Sequence, residues 1–588
     1  MREFFKYVSA TVVGFMLSIF LVFIFFMFII GAVLSSISDD KTVDVKPNSV
    51  LYLNLDQNIR ERTPNTRFEN LPIIGSSEKS IGLRDMIRAI EKAKTDPNIK
   101  VIYLNVSSPS VGKASLKEIR DAIIDFKKSK KQVIAYSEVY TQDAYYVASA
   151  ANKVYLYPQG ALEFKGFNSE LMFFKGALEK MGIEAQIIRV GDYKSAVEPF
   201  INDKMSEYNR LQVSAYVNGL YKTFLQGISE TRKIPIDSLF VIANDYKIQL
   251  PKDAITFKMV DALRYKDQVI DELKKLSGIG KNDKIVAVTI NEYAENVISE
   301  KTSDRSKIAV IYAIGEITDG EGNDETIGSE RISRAIRKAR QDSNVKAIVL
   351  RVNSGGGSAL ASDVIWREME LSKKVKPVMA SFGDVAASGG YYIACSADSI
   401  FVQPNTITGS IGVFGIIPNF QKLLNTKLGI TFDGVKTGKY ADIMSVDRPL
   451  TAGERFIIQN EVNHIYDVFV TRVADGRKMT TKYVDSIGGG RVWVGTDAVR
   501  LGLADRLGSF QDAIAAAGKK AKLKTYRVVE YPEKTDPFKS LMDSSTDKIR
   551  TYYAQKEFGE HFLMYEQMKK AVLNSGIQAR MPFNININ

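Results

Sequence analysis

Residues 88–106, RAIEKAKTDPNIKVIYLNV, decide the fold because they return later in the chain as residues 334–352, RAIRKARQDSNVKAIVLRV. The two stretches align without a gap and are identical at eleven of nineteen positions. The same offset of 246 matches Tyr145 with Tyr391, and a shift of one residue then aligns GDYKSA with GKYADI. A self-match of this length predicts two consecutive copies of one fold.

Each copy alternates helical patterns with short apolar runs rich in β-branched residues. A helix is predicted from about Gly82 to Thr95, and it leads into the first strand. Apolar strands that alternate with helices are typical of a mainly parallel sheet covered on both faces. The predicted strands are VIYLNV, QVIAYS, KVYLY and AQIIRV in the first copy, and IAVIYA, AIVLRV, PVMASF, SIFVQP and ITFDGV in the second. The predicted fold class is therefore α/β.

The two copies set the predicted domain boundaries in this chain of 588 residues. The first repeat is placed at residues 45–300 and the second at 306–530. The charged stretch ISEKTSDRSK between them is a plausible linker. Residues 536–588 are rich in Lys, Glu, Tyr and Met and are predicted to form a mostly helical extension.

The N-terminal region predicts one transmembrane helix. Residues 11–34 are uncharged and contain FMLSIFLVFIFFMFII, which is long enough for a hydrocarbon core that needs roughly 20 helical residues. A cleaved signal peptide is the competing interpretation, but its apolar region is usually only about 7 to 15 residues long. Arg2 and Lys6 precede the span and acidic residues crowd its far end. This asymmetry predicts a cytoplasmic tail at residues 1–10, with the rest of the chain on the outer side.

Composition bounds the function as well. The formal net charge is +12, but basic and acidic residues are interleaved throughout, so nucleic-acid binding is not expected. The single cysteine, Cys395, excludes an intrachain disulfide and a cysteine-rich metal site. With only two histidines, His464 and His561, a hydrolase built from this sequence would need another kind of general base.

A glycine-rich loop follows the strand AIVLRV in the second copy. It reads NSGGGS, and a helical pattern begins after it at about Ala359. Successive glycines let backbone N–H groups converge on a negative atom, since no Cβ blocks the approach. A phosphate loop is disfavoured because neither nucleotide-binding pattern fits. The alternative is an ordinary strand-to-helix turn in which Ser354 or Ser358 caps the helix.

Two residues could supply nucleophilic chemistry. Ser388, in GDVAASGGYY, lies between small residues at the predicted start of a helix, where the Gly389 N–H could face a developing oxyanion. Lys194, in VGDYKSAVEPF, lies among apolar neighbours, and burial would lower its pKa so that it could act as a base. Both residues also have a non-catalytic interpretation. Ser388 could be a helix cap, and Lys194 could form a surface ion pair with Asp192 or Glu198.

Comparison of the copies favours the catalytic interpretation. The first copy has Gln142 opposite Ser388 and lacks the three glycines. The second copy has Tyr440 or Ala441 opposite Lys194. Each copy thus keeps what the other lacks, as expected if one serine-lysine site was divided between the copies after duplication.

These motifs give the chain a clear resemblance to a known family. YKSAVEPF, RVNSGGGS, GDVAASGGYY and TGSIGVFG resemble the long form of signal peptide peptidase A, within the Clp-protease and crotonase superfamily. The resemblance implies that Ser388 is the nucleophile, Lys194 the base and Ser410 the residue that orients the lysine. It also implies an oxyanion hole built from Gly357 and Gly389. Gly356 is the nearest alternative to these two donors.

The same resemblance carries expectations about function. It implies a serine endopeptidase that needs no metal or cofactor and degrades remnant signal peptides at the periplasmic face of a bacterial inner membrane. It further implies a homo-oligomer, expected to be a tetramer because each duplicated chain supplies two copies of the fold. A crotonase-like acyl-CoA hydratase or isomerase and a catalytically silent membrane scaffold are the alternatives. In the family the glycine loop usually carries a proline where this chain has Gly355, so the loop is expected to be less rigid.

Overall fold

The structure, a computed structural model, describes residues 2–37, 44–64, 80–299, 304–534 and 576–581. Helix α1 (Arg2–Ile37) contains the predicted span and extends beyond it at both ends. Within the described residues, α1 is the one helix that is long and apolar enough to cross a membrane. The candidate span within it is Arg2–Phe28, which has a mean hydropathy of 2.7 and no buried residue. Most of the predicted extension at 536–588 lies outside the described residues.

The main sheet of the first copy is fully parallel and covered by helices. One of its two central strands, β4, is buried along most of its length, as expected for a sheet covered on both faces. The strands of the first copy, including β2, β3 and β7 outside this sheet, are β1 (Ser49–Asn54), β2 (Ile59–Arg60), β3 (Ile81–Gly82), β4 (Ile99–Asn105), β5 (Gln132–Tyr140), β6 (Lys153–Leu162), β7 (Glu184–Arg189), β8 (Ala262–Leu263) and β9 (Ala287–Thr289). Its helices are α2 (Leu83–Thr95), α3 (Lys113–Lys127), α4 (Gln142–Ala148), α5 (Lys175–Met181), α6 (Glu198–Ile201), α7 (Glu207–Arg232), α8 (Ile236–Asn244), α9 (Pro251–Thr256), α10 (Lys266–Ser277) and α11 (Ile290–Ser299).

The second copy contains a larger sheet that is parallel except where β17 meets β19. The strands of this part of the chain are β10 (Lys307–Ile314), β11 (Glu316–Thr318), β12 (Thr326–Gly328), β13 (Val345–Ser354), β14 (Gly356–Ser358), β15 (Val378–Ala387), β16 (Ser399–Val402), β17 (Ile407–Gly409), β18 (Phe414–Asn419), β19 (Val492–Val494), β20 (Arg506–Leu507), β21 (Arg527–Tyr531) and β22 (Gly576–Arg580). The helices are α12 (Ser329–Gln341), α13 (Ala359–Lys373), α14 (Gly389–Tyr392), α15 (Ala452–Arg477), α16 (Thr481–Ile487), α17 (Gly495–Arg500) and α18 (Phe510–Lys520).

Strand order and helix length agree between the copies. The first sheet runs β8-β6-β5-β4-β1-β9, and the second contains the matching path β20-β16-β15-β13-β10-β21. Helices α2 and α12 both have 13 residues, α3 and α13 both have 15, and α7 and α15 both have 26. The predicted duplication of a mainly parallel α/β fold is therefore confirmed.

A third sheet joins the two copies. Its order is β12-β11-β14-β22-β18-β7, so a strand of the first copy forms one edge of a sheet that otherwise belongs to the later part of the chain. Strand β7 pairs antiparallel with β18 over six residue pairs. Ile188, on β7, is buried in the hydrophobic core of the second copy. The sequence predicted this strand, AQIIRV, but not its partner.

One predicted strand is wrong. ITFDGV, at residues 430–435, forms no regular structure, and Ile430, Phe432 and Val435 are 45%, 56% and 100% exposed. Its counterpart in the first copy, β7, is a strand because β18 supplies a pairing edge. Within one chain ITFDGV pairs with no described strand, and a β-branched sequence alone does not hold a strand.

A buried ionic cluster fastens the two copies together. Arg351, on β13, is fully buried, and its guanidinium contacts Glu61 at 2.9 Å and Glu118 at 2.9 Å. Both carboxylates belong to the first copy. The Phe510 ring lies over the guanidinium, and the Phe510 N–H donates to Glu118 at 3.1 Å. Burial raises the pKa of Glu118, while Arg351 opposes that shift.

Replacement of Arg351 by Met should destabilise the protein strongly, because it leaves two buried carboxylates without their cation. A loss of about 3–5 kcal/mol is expected for breaking such a cluster, measured as the shift of the urea unfolding transition. The control is Arg500→Met, which removes an arginine from an exposed ion pair with Asp497. That change should alter stability by less than about 0.5 kcal/mol. Equal effects of the two substitutions would contradict a fastening role for Arg351.

Candidate active site

Ser388 lies at a sharp turn between β15 and α14. Its backbone has φ 54° and ψ −118°, a conformation that is rare for a residue with a side chain and costs free energy. Its N–H donates to the Gly409 carbonyl at 2.8 Å, which fixes the turn against the end of β17. The side chain makes no helix-capping hydrogen bond, so the interpretation of Ser388 as a cap is wrong.

Lys194 meets Ser388 although the two residues belong to different copies. The lysine Nζ lies 2.9 Å from Ser388 Oγ, and both residues are 0% exposed. Among the described residues no carboxylate pairs with this amine. Glu198, one of the partners considered from the sequence, instead accepts hydrogen bonds from Ser206 and Asn209. The surface ion pair considered for Lys194 is therefore wrong.

Ser410 completes the surroundings of the lysine amine. The Ser410 Oγ and carbonyl oxygen lie 3.0 Å and 3.1 Å from Lys194 Nζ. The Phe414 ring centroid is 5.9 Å away. Because neutral groups and an aromatic ring surround the amine, desolvation alone lowers the pKa of Lys194 well below the usual lysine value. A neutral lysine next to a serine hydroxyl can accept its proton.

The glycine loop approaches the residue that follows Ser388. Gly356 and Gly357 form the short strand β14, and the helix α13 follows with Ser358 as its N-cap, whose Oγ accepts from the Ala361 N–H at 3.2 Å. Gly356 has φ 100°, and a Cβ there would lie 2.8 Å from the Gly389 nitrogen. Only glycine therefore allows this loop to approach the residue after Ser388 so closely. The helix cap predicted for Ser358 is therefore confirmed, and it is compatible with a glycine loop that closely approaches Gly389.

Sequence reasoning missed the residues that hold the lysine loop in place. Gln212, on α7, donates to the Tyr193 carbonyl at 3.0 Å and to Ser195 Oγ at 2.7 Å, on the two sides of Lys194. Its side-chain oxygen accepts from the Val492 N–H at 3.1 Å. Aligning α7 and α15 from their first residues places the apolar Ile457 opposite Gln212, whereas the offset that aligns GDYKSA with GKYADI places Gln459 there, so the sequence alone gives no clear signal for this residue.

Gly490 was missed as well. It has φ 87°, and a Cβ there would lie 2.5 Å from the Lys194 nitrogen. The turn before β19 can therefore press against the lysine backbone only because it carries glycine. The sequence signal is the second glycine triplet, in SIGGGRVW.

The counterpart positions have no comparable chemistry. Gln142 is the first residue of α4, and its side-chain oxygen accepts from the Lys165 and Gly166 N–H groups at 3.1 Å and 3.0 Å. It therefore ties together backbone segments of the first copy. Tyr440 and Ala441 lie in the exposed segment after ITFDGV. Of the two histidines, His464 is exposed on α15, and His561 lies outside the described residues.

Comparison with known proteins agrees with the duplication. The model of Peptidase family S49 matches the chain twice, at residues 125–280 and 370–524. A solved chain of a ClpP1 mutant from Listeria monocytogenes matches 36% of this chain and 95% of its own length, with 16% identity and a TM-score of 0.24.

Curated relatives match most of the chain. Protease 4 of Salmonella typhi is 38% identical over 80% of this chain and 76% of its own length. Protease 4 of Haemophilus influenzae is 36% identical over 84% and 83% of the two lengths. The chloroplastic serine protease SPPA of Arabidopsis thaliana is 34% identical over 83% and 72%. These matches support neither an acyl-CoA enzyme nor a silent scaffold. The chain belongs to peptidase family S49 and is a serine-type protease.

Proposed function

We propose that this protein is a membrane-anchored endopeptidase that degrades remnant signal peptides with a Ser388–Lys194 dyad. The observation that carries the proposal is the contact of 2.9 Å between the lysine amine and the serine hydroxyl in a fully buried site. Family membership supports the reaction class. The resemblance to signal peptide peptidase A supports the substrate, and helix α1 supports the anchor.

In the proposed reaction each of these groups has one role. Neutral Lys194 accepts the Ser388 proton as Oγ attacks the peptide carbonyl. The N–H groups of Gly357 and Gly389 stabilise the oxyanion, with Gly356 as the alternative donor. Lys194 then gives its proton to the leaving amine, and an acyl-enzyme remains on Ser388. Water, deprotonated by Lys194, hydrolyses that ester and returns the enzyme to its first state.

Ser410 acts in this scheme as a positioning residue. Its hydroxyl and carbonyl oxygen lie within hydrogen-bonding distance of the amine without adding a charge that would hold its proton. The lysine lone pair can therefore point at Ser388 Oγ. No step requires a metal or a cofactor.

The proposed topology places the short N-terminal tail inside a bacterial inner membrane and the catalytic body on the periplasmic side. Arg2 and Lys6 precede the apolar stretch of α1, in agreement with the excess of positive charge usual on the cytoplasmic side. Signal peptide remnants are apolar and remain in the bilayer after release from preproteins. A tethered protease next to the lipid surface would meet them there.

The proposed assembly is a ring of four chains. In the first copy, β7 reaches across to a strand of the second copy. The corresponding segment of the second copy, ITFDGV, keeps its apolar side chains exposed. The same contact, repeated from the second copy of one chain to the first copy of the next, would bury those side chains. A head-to-tail contact of this kind forms a closed ring when its rotation closes.

Substitution of either dyad residue should abolish peptidase activity. Ser388→Ala removes the nucleophile and Lys194→Ala removes the base, so kcat/KM for an apolar peptide should fall at least about 1,000-fold in each. The double variant should be no more than about tenfold worse than either single variant, since residues that act as a unit are not additive. Lys175→Ala, at a lysine paired with Asp203 on the surface, is the control and should stay within twofold. Near-normal activity of Lys194→Ala would overturn the dyad.

Activity should rise with pH through one ionisation. At low pH the buried amine is protonated and cannot accept the serine proton, and above its lowered pKa it is neutral and active. The test is the pH dependence of kcat/KM for a short apolar peptide ester. The double variant His464→Gln and His561→Gln should keep the same midpoint. A midpoint that moves by a full pH unit in that variant would identify a histidine as the base.

The assembly has a separate test. Native mass spectrometry of the full chain in detergent should give a species of four 65.6 kDa chains. Phe432→Asp with Val435→Asp should convert it to single chains, because both changes put charge into the proposed contact. Val375→Asp, at an exposed apolar residue after α13, is the control. A single-chain parent, or a double variant that still assembles, would contradict the ring.

A further inference from the structure

The third sheet has a gap that one strand fills. Strands β14 and β18 do not pair with each other; β22 lies between them and is antiparallel to both. Gly357 pairs with Ala579 on one side, and Phe414 pairs with Gln578 on the other. Without β22, two strand edges would face each other across the width of one extended peptide. Such a slot binds peptides of varied sequence through backbone hydrogen bonds, and side-chain pockets add specificity.

The carbonyl of Ala579 lies close to Gly356 and to Gly389, the residue after Ser388. A Cβ built on Gly389 would be 3.0 Å from this oxygen, and one built on Gly356 would be 2.1 Å from it. The Met581 N–H donates to the Gly355 carbonyl at 2.6 Å. Because hydrogen-bonded pairs alternate along an antiparallel ladder, the Gly357–Ala579 pair is also hydrogen-bonded. Residues 576–581 therefore lie in the register of a substrate whose attacked carbonyl belongs to Ala579.

This register identifies the residue on the leaving-group side of the bond. Arg580 pairs with Gly356 on β14, and β11 lies on the other side of β14, with Ile317 opposite Gly357. Glu316, Gly356 and Arg580 thus form one row across three strands. Gly356 has no side chain to block the row, and the Arg580 guanidinium reaches the Glu316 carboxylate at 3.1 Å.

We propose that Glu316 makes the enzyme select an arginine or lysine immediately after the cleaved bond. The inference rests on the proposed function, and it adds a specificity residue to the same cleft. Glu316 and Arg580 are both only partly exposed, so their contact is less screened than a surface ion pair. An arginine offers charge-assisted hydrogen bonds to the carboxylate, whereas an acidic residue in its place would be repelled.

The residues on either side of Arg580 complete the preferred sequence. Ala579 is 1% exposed, so little room remains for a larger side chain before the bond. Met581 is buried in an apolar cluster with Val213, Tyr216 and Leu220. The preferred substrate is therefore a small residue, then a basic residue, then an apolar one.

Two peptides that differ at one residue test the selection. Quenched fluorescent peptides that contain GIQARM or GIQAEM, the former copied from residues 576–581, are compared by kcat/KM. The parent should favour the arginine peptide at least about tenfold, and Glu316→Lys should favour the glutamate peptide. Glu325→Gln is the control, since this exposed carboxylate faces Arg60 rather than Arg580, and it should leave the preference unchanged.

The outcomes separate the inference from the proposed function. Cleavage of both peptides that depends on Ser388, with a preference below twofold, would overturn the role of Glu316 and leave the protease mechanism intact. A preference that Glu316→Lys does not change would overturn it as well. Failure to cleave either peptide would count against the proposed substrate class. Hydrogen exchange of residues 576–581 would then decide whether Glu316 holds a basic residue in the cleft.

A second measurement needs no turnover. Hydrogen exchange of residues 576–581 is followed in the inactive Ser388→Ala chain. Arg580→Glu and Glu316→Arg should each speed exchange of this segment at least about fivefold, because each variant places like charges opposite one another. The double variant, with the charges exchanged, should return to within twofold of the parent. Single variants without effect, or a double variant that remains fast, would show that the contact does not hold a strand in the cleft.

Discussion

A lysine amine enclosed without a carboxylate partner is the constraint on which this site depends. An isolated charge is expensive in a protein interior, so the fold favours the neutral form of Lys194. That preference is what the proposed role of Lys194 as a base requires near neutral pH, and it would let a serine protease work with so few histidines. The enclosure requires both copies, because the lysine comes from one copy and Ser388, Ser410 and Phe414 come from the other. Any loosening between the copies would admit water and restore the ordinary lysine pKa.

The remaining contacts between the copies can be understood in that light. Buried charges are paired where they hold the two copies together, as in the cluster around Arg351. No charged partner among the residues that the structure describes lies next to the Lys194 amine, which must remain neutral. Strand β7 adds backbone hydrogen bonds to β18 shortly before the chain reaches Lys194. Gln212 then fixes the carbonyl of Tyr193 and the side chain of Ser195. The lysine is thus positioned from both sides by groups that carry no net charge.

Much of this organisation could be predicted from sequence because it is local or repeated. The duplication follows from the alignment of residues 88–106 with 334–352, most strands follow from short apolar runs, and the split of serine and lysine follows from extending the alignment to the later motifs. The partners of strands could not be predicted in the same way. AQIIRV and ITFDGV have similar strand propensity, yet within one chain only the first pairs with another described strand. Gln212 and Gly490 act through backbone contacts that join distant segments, and although the glycine triplet around Gly490 marks a tight turn, it does not reveal which segment that turn contacts.

Strand β22 pairs with two strand edges, of β14 and β18, that would otherwise be left unpaired in the proposed substrate cleft. Unpaired N–H and C=O groups along β14 and β18 would be costly in a site that otherwise excludes water, and exposed strand edges tend to pair with whatever extended chain is available. Residues 576–581 satisfy both edges at once, in the antiparallel direction that a substrate strand would use. A substrate that binds between β14 and β18 must therefore replace the backbone hydrogen bonds of β22 with an equivalent set of its own. Because the backbone exchange is nearly even, the difference between peptides comes from side-chain contacts such as the one at Glu316. The strand edges of β14 and β18 give the site its general affinity for extended peptides. Glu316, reached across Gly356, makes the site select among those peptides.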